Sequence, residues 1–257
     1  MIGHYTIGAC SSSESLLDFQ SAPSLVQVFE GNVLMVCLLY GGHMGQSRLV
    51  IDVIDNGGQW THREWRMLRY LGVDTKILPN DTPLDELRDL DGLILSGGAA
   101  RVGLTGELGR CADYLSLEIP ILGICAGLQF MAGHYGGQAI EAPQPEFGAA
   151  TISLSEDPGP LFSDTPSIQT VWESHNDEVS EVPEDFRITA SSQSCRVQAM
   201  QNHANTRFGV QFHPEVNDSE YGEAIFRNFV DICKRARITE QANGQVEEGD
   251  QSGKHHD

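Results

Sequence analysis

Positive charge is scarce in this chain: 16 Lys and Arg stand against 36 Asp and Glu, giving a net charge of -20 and a pI near 4.6. A field of that sign repels phosphate, which argues against nucleic acid and anionic membrane as partners. Acidic surfaces also occur in proteins that work in concentrated salt, and composition leaves a halophilic and a merely acidic mesophilic host both open. The 6 cysteines, Cys10, Cys37, Cys111, Cys125, Cys195 and Cys233, include no C-x-x-C pair and no His-Cys cluster at metal-ligand spacing. Their scatter argues against a disulfide framework and a zinc site, and for a reducing cytoplasm. Long apolar runs are missing as well. Near the start, Val33 to Tyr40 falls far short of the roughly 20 residues that span a bilayer, and no basic region precedes it, so no secretory signal is expected. No Gly-Lys-Ser/Thr phosphate loop occurs anywhere.

What is present fits one catalytic domain with a substantial core: 257 residues, of which 40% are hydrophobic. Residues 1–43 are Ser-rich, contain no Lys or Arg and lack useful periodicity, and a first strand begins only after Met44. The expectation is therefore a native start at Met44, with residues 1–43 a non-native or disordered extension; a docking arm is the competing reading. From about Ala236 the chain turns polar and acidic, and residues 236–257 are expected to form a disordered tail. Between them, residues 44–235 alternate. Strands are expected at Leu49 to Ile54, Val73 to Leu78, Gly92 to Ser96 and Ile119 to Ile124. Helices are expected at Gln59 to Leu71, Pro83 to Leu90 and Gly109 to Leu117. The first of these carries a mostly apolar stripe of Trp60, Met67, Leu68 and Leu71, with Glu64 inside it. Further strands are expected near Ala150, Val171, Ile188, Val197 and Phe208, and a closing amphipathic helix at Ser219 to Arg235 buries Ile225, Phe226, Phe229, Val230 and Cys233. The pattern predicts an α/β fold: a mostly parallel central sheet with helices on both faces, plus additional strands in the second half.

Two stretches carry chemistry. In I-L-G-I-C-A-G-L-Q-F, Cys125 stands in a G-x-C-x-G elbow between an apolar strand and a helix, where flanking glycines let the chain turn sharply and lift the thiol to the rim of the sheet. In G-V-Q-F-H-P-E-V, His213 and Glu215 are two residues apart, and on an extended chain residues i and i+2 share a face. A thiol attacks as thiolate, so it needs a base or a positive helix end, and Cys125 has both within prospect. His213 can take the proton and return it to a leaving group, and Glu215 can orient the imidazole. Acyl transfer also needs donors for a tetrahedral oxyanion. The backbone N–H groups of Gly98, in the S-G-G that follows the neighbouring strand, and of Ala126 are the candidates.

These residues resemble the class I, triad-type glutamine amidotransferases through L-S-G-G, G-I-C-A-G-L-Q and G-V-Q-F-H-P-E-V. More narrowly, I-D-N-G-G-Q-W-T-H-R, R-Y-L-G-V-D-T-K-I-L-P-N, V-W-E-S-H-N-D-E-V and E-A-I-F-R-N-F are similar to the separate amidotransferase subunits of archaeal GMP synthases. The resemblance covers roughly residues 49–235 and implies a flavodoxin-like sheet. It implies Cys125 as nucleophile, His213 as general base and acid, and Glu215 as orienting acid. Gln129, Phe147 and Gly148 would bind L-glutamine, and His175 would couple the site to a partner. It further implies a separate ATP-dependent synthetase that works on XMP, in a heterodimer or larger complex. ATP and magnesium would belong to that partner, and this chain would need no cofactor or metal. Amidotransferases serving anthranilate, aminodeoxychorismate or carbamoyl phosphate synthesis, and a non-catalytic regulatory protein of the same fold, are the alternatives. The chain departs from the family pattern at Ala99, where Pro usually follows S-G-G, at Asn176, which replaces a usual Met, and at Ala126, where Leu or Tyr is common.

Overall fold

The computed structural model describes residues 48–87 and 89–251, and for Glu240 and residues 242–251 it describes the backbone alone. The expected extension at residues 1–43 lies outside the described residues, as does the end of the expected tail from residue 252.

Apolar strands that must be covered on both faces build the first half. β1 (Ile51–Asn56), β3 (Gly92–Gly98) and β4 (Ile121–Ile124) are almost wholly buried, and β2 (Ile77–Pro79) lies at the edge. Their side chains alternate between two cores. Ile51, Val53, Ile94, Leu122 and Ile124 enter one, while Ile54, Leu93, Leu95 and Ile121 enter the other, as the period of two demands. Helices α1 (Thr61–Tyr70) and α5 (Gly222–Gln251) pack on the first face. The short helix α3 (Cys111–Tyr114) and α4 (Ala126–His134) pack on the second. A single turn of helix, α2 (Val102–Thr105), follows β3. All five apolar residues expected on the closing helix are buried. Phe226 and Phe229 are fully enclosed, and such burial stabilises by about 1.5–3 kcal/mol per side chain. The helix itself begins at Gly222 and continues past Arg235 to Gln251.

The second half supplies β5 (Gln138–Leu154), β6 (Ile168–Glu181), β7 (Phe186–Ser191), β8 (Ala199–Asn202) and β9 (Arg207–Val210). One sheet joins all nine in the order β2-β1-β3-β4-β9-β8-β7-β5-β6. Pairings from β2 to β9 are parallel, and those from β9 to β6 are antiparallel. The parallel half is therefore the doubly wound sheet of the flavodoxin type, whose ligand crevice lies beyond the carboxyl ends of the strands. Two expected helices are much reduced. Among its described residues Pro83 to Leu90 contains only a 3₁₀ turn at Leu84–Glu86, and Gly109 to Leu117 contracts to α3. In both segments the apolar residues, Leu84, Leu87, Leu90, Leu115 and Leu117, still pack on the second core, so tertiary contacts replace a regular helix. Among the described residues no helix is long and apolar enough to cross a membrane.

Candidate active site

Cys125 lies between the end of β4 and the start of α4, with φ 50° and ψ -104°. A non-glycine residue in that region is strained, and the surrounding structure must hold it there. The expectation assigned the turn's freedom to the flanking glycines, and the structure corrects this. Cys125 itself carries the positive φ, and the glycines are needed for close approach. A Cβ on Gly123 would lie 2.6 Å from the backbone of Gly127, and one on Gly127 would lie 2.3 Å from Leu95 O. The elbow is pinned by Cys125 N–H donating to Val210 O of β9 (2.8 Å) and by Gln129 N–H donating to Cys125 O (3.0 Å). Ala126 follows as the first helical residue, and the N–H groups of a helix's first turn have no partner within the helix.

His213 and Glu215 meet Cys125 from the segment after β9. The pair is joined by His213 Nδ1 to Glu215 Oε1 at 2.7 Å, with both side chains buried. The local geometry differs from the extended chain expected. Val216 N–H donates to His213 O (3.2 Å), so residues 213–216 form a β-turn with Pro214 at its second position. Pro presets φ for that position, and this is why the H-P-E spacing works. His213 N–H donates to Trp172 O of β6 (2.9 Å), and Ser219 Oγ donates to His213 O (2.7 Å). The edge of Trp60 meets the imidazole at 4.5 Å with a 70° interplanar angle. Burial opposes charge on His213, but Glu215 and the interaction with Cys125 outweigh it and hold its pKa well above the ordinary histidine value. An imidazolium beside the thiol is what a nucleophilic cysteine requires. Among the other described cysteines only Cys195 has a histidine nearby, His175, whose pKa is lowered rather than raised. Burial pushes the Cys111 thiol up to about 12 and raises Cys195 and Cys233 as well.

These groups line a cavity of about 310 Å³ that also includes Gly97, Gly98, Gln129, Phe147 and His175. Neither Ala126 nor Gly148 contributes to its lining. Ala126 opens α4 directly after Cys125, and its side chain lies in the second core. Gly148, at φ 108°, pairs with Glu173 one position beyond Phe147, which opposes Ser174. Phe147 is 66% exposed, an apolar ring at the rim. Gln129 is buried, and its Nε2 donates to Asp177 O (2.6 Å) and to Gln211 Oε1 (3.2 Å). Any contact it makes with a ligand therefore falls to its carbonyl oxygen. The S-G-G end of β3 is clamped by Asn56, whose Nδ2 donates to Ser96 O (2.9 Å) and whose N–H donates to Ser96 Oγ (3.0 Å).

His175 is engaged at both ring nitrogens. Nδ1 contacts Asp177 O at 3.1 Å, and Nε2 contacts Glu146 Oε2 at 3.0 Å with Glu173 Oε2 at 3.4 Å. Burial lowers its pKa. Glu146, His175 and Cys195 bring ligand-type atoms within 4.8 Å of one another, a grouping that sequence spacing did not reveal. Glu146 also accepts from Ser194 Oγ and from Gln198 Nε2 (3.1 Å), and Cys195 Sγ contacts Val197 O at 3.7 Å. The grouping is thus internally hydrogen-bonded.

Sequence reasoning missed four contributors. Gln211, inside the G-V-Q-F-H-P-E-V motif, directs Nε2 at Cys125 Sγ (3.5 Å). Arg101 bonds Asp177 Oδ1 at 2.8 Å and ties the loop after S-G-G to β6. Trp60 and Glu64 reach the cavity from the first turn of α1. A carboxylate within an otherwise apolar helical stripe was the one available signal for Glu64.

A strained cysteine at a strand-to-helix elbow, a buried His–Glu pair and a doubly wound sheet define a cysteine acyl-transfer site of the amidotransferase class. The chain matches the class-I glutamine amidotransferase family over residues 52–233 and belongs to that family. A subunit of the glutamine-hydrolyzing GMP synthase of Thermoplasma acidophilum is 49% identical over 199 residues, covering 77% of this chain and 99% of that protein. The corresponding GMP synthase protein of Natronomonas pharaonis is 45% identical over 183 residues, covering 71% of this chain and 97% of its own length. A crystal structure of a GMP synthase subunit from Thermoplasma acidophilum aligns with a TM-score of 0.72 at 48% identity, over 76% of this chain and 98% of that one. A glutamine amidotransferase from Thermotoga maritima, at 19% identity and a TM-score of 0.56 over 76% of this chain and 86% of its own, shares the fold.

Proposed function

We propose that this chain is the glutaminase component of a two-subunit GMP synthase. It hydrolyses the side-chain amide of L-glutamine and delivers ammonia to a separate ATP-dependent synthetase that converts XMP to GMP. The observation that carries the chemistry is the His213–Glu215 pair, 2.7 Å apart, beside the strained Cys125. Its likeness to the glutamine-hydrolyzing GMP synthase proteins supports the choice of acceptor.

The Cys125 thiolate adds to the amide carbon, forming a C–S bond and a tetrahedral oxyanion. The N–H groups of Gly98 and Ala126 are the proposed donors to that oxyanion. As the C–N bond breaks, His213 gives its proton to the departing nitrogen, which leaves as ammonia. Neutral His213 then takes a proton from water, which attacks the thioester; glutamate departs and the thiolate–imidazolium pair returns. Glu215 keeps the imidazole oriented and favours its charged form. Gln129, Phe147 and the backbone of Gly148 hold the substrate. The reaction needs no cofactor from this chain; ATP and magnesium act in the synthetase.

Mixing the chain with the synthetase, XMP, ATP, magnesium and glutamine tests this reading. Cys125→Ala is expected to abolish glutamine-dependent GMP formation while ammonia-dependent formation survives. Retained glutamine use would end the nucleophile assignment. Activity restored only by another acceptor, such as chorismate, would replace the proposed partner.

A further inference from the structure

Ser96 is fully buried, and it does not line the cavity that holds Cys125 and His213. Its neighbour Gly97 does, packed against both reacting side chains: a Cβ there would lie 3.0 Å from His213 Cε1 and 3.6 Å from Cys125 Cβ. Ser96 Oγ donates to Gly97 O (2.8 Å). The protons around this hydroxyl can be assigned, since each hydroxyl has a single one to give. Asn56 N–H donates to Ser96 Oγ at 3.0 Å. Thr61 Oγ1 is 3.4 Å away, and its proton goes to the nearer Asp55 Oδ1 at 2.9 Å. The Ser96 proton is left for Gly97 O, the shorter of its contacts. Gly58 hems in the same oxygen, for a Cβ on Gly58 would lie 2.5 Å from it.

Gly97 O and Gly98 N–H belong to one peptide unit. A planar trans unit points the two groups in opposite directions, so holding one directs the other. Two glycines in succession leave that peptide free to rotate about its flanking bonds, because neither residue carries a Cβ to restrict φ and ψ. The Ser96 hydroxyl supplies the constraint that the glycines lack. We infer that Ser96 is a positioning residue for the oxyanion donor: its hydroxyl holds Gly97 O and thereby aims the Gly98 N–H. The inference rests on the glutaminase reading, in which Gly98 N–H stabilises the tetrahedral oxyanion, and it adds a side chain that acts through this peptide without touching substrate. A donor aimed in advance needs no reorganisation as charge develops on the substrate. A hydroxyl that only satisfied itself inside the fold would cost stability when removed and leave the chemistry alone.

Two reagents that consume the Cys125 thiolate separate these roles in the reconstituted complex. Iodoacetamide alkylates sulfur by displacing iodide from a saturated carbon and forms no oxyanion. p-Nitrophenyl acetate acylates sulfur through an oxyanion on the ester carbonyl before nitrophenolate leaves. Ser96→Ala is expected to slow Cys125-dependent nitrophenolate release, read as the difference from Cys125→Ala, about tenfold, with alkylation of Cys125 by peptide mass spectrometry within about twofold of the wild type. kcat for glutamine should fall by a similar factor with KM little changed, because the donor acts in the transition state alone. Ser96→Thr keeps the hydroxyl and should recover most of both losses. A folded Ser96→Ala chain with wild-type acylation would overturn the inference, as would equal slowing of both reagents or a Ser96→Thr chain as impaired as Ser96→Ala. Should Ser96→Ala fail to fold, the ratio of acylation to alkylation in Ser96→Thr decides: a wild-type ratio supports the role and a lower one overturns it. Absence of glutamine turnover in the wild type would defeat the glutaminase reading instead, leaving the two reagents to judge Ser96.

Discussion

Two buried histidines border the same cavity, each bonded to a glutamate, and their environments move them in opposite directions. His213 is held well above the ordinary histidine pKa, while His175 is lowered. Burial works against charge in both. The difference lies in what else each ring touches. His213 uses Nδ1 for Glu215, whose second oxygen has no other partner, and its interaction with Cys125 favours the charged form. His175 has Nδ1 on Asp177 O and Nε2 on Glu146, and Glu146 is shared with Ser194 and Gln198. A carboxylate already satisfied by neutral donors supports a neighbouring charge less well. One histidine is thus poised to exchange a proton and the other is locked in a network. Burial and a carboxylate partner do not by themselves distinguish them.

The sharpest way to break that contrast is to remove each ring in turn. His213→Asn is expected to lower glutamine-dependent kcat by about 10²–10⁴-fold, the usual worth of general acid–base catalysis, with little change in ammonia-dependent GMP formation. His175→Asn should instead lower folding stability by about 1–3 kcal/mol, since Glu146 and Asp177 O lose a buried partner. Chemical denaturation and steady-state kinetics on both variants check the pair. A larger kinetic than stability effect at His175 would reverse the assignment and strengthen its coupling role. Glu215→Gln should act less severely than His213→Asn. It removes the charge that raises His213, so the imidazolium is lost at a lower pH than in the wild type, and the alkaline limb of kcat/KM moves toward neutrality. A limb that stays in place would mean that Glu215 orients the ring without setting its charge.

The contrast was only partly legible in the sequence. The parallel half could be traced from apolar runs and their helical partners, and Cys125, His213 and Glu215 from two motifs. What escaped notice depends on long-range pairing. β5 runs through Pro143 and Pro145, which cannot donate to a ladder, and its register with β6 shifts between Glu141 and Glu146. That irregularity erased the alternation that would have marked a 17-residue strand. It is also what sets Glu146 opposite His175, 29 residues away. Similarly, Gln211 meets Cys125 and Glu64 borders the cavity only when β9 and α1 are placed beside the elbow. Pro214 is compatible with an extended strand end as well as with the turn that joins His213 to Glu215, and the G-x-C-x-G pattern marks an elbow without saying that Cys125 itself carries the positive φ.

The smallest expected effect concerns Glu173, the second carboxyl beside His175. Burial and then the charge of Glu146 push its pKa up to about 8, from an ordinary value near 4.5. A carboxyl whose folded pKa exceeds its unfolded value binds more protons in the folded state between the two. It therefore adds stability at low pH that is lost as pH rises from about 4.5 to about 8. Glu173→Gln is uncharged throughout and lacks this dependence. The stability of the variant relative to the wild type should accordingly climb across that window and level off above it, as followed by denaturant midpoints at successive pH values. Catalysis should change little, because His213 keeps its Glu215 and Cys125 interactions. A difference that stays flat with pH would mean that Glu173 ionises normally in the fold. His175 would then face two charged carboxylates, which would oppose the lowering that burial imposes on it.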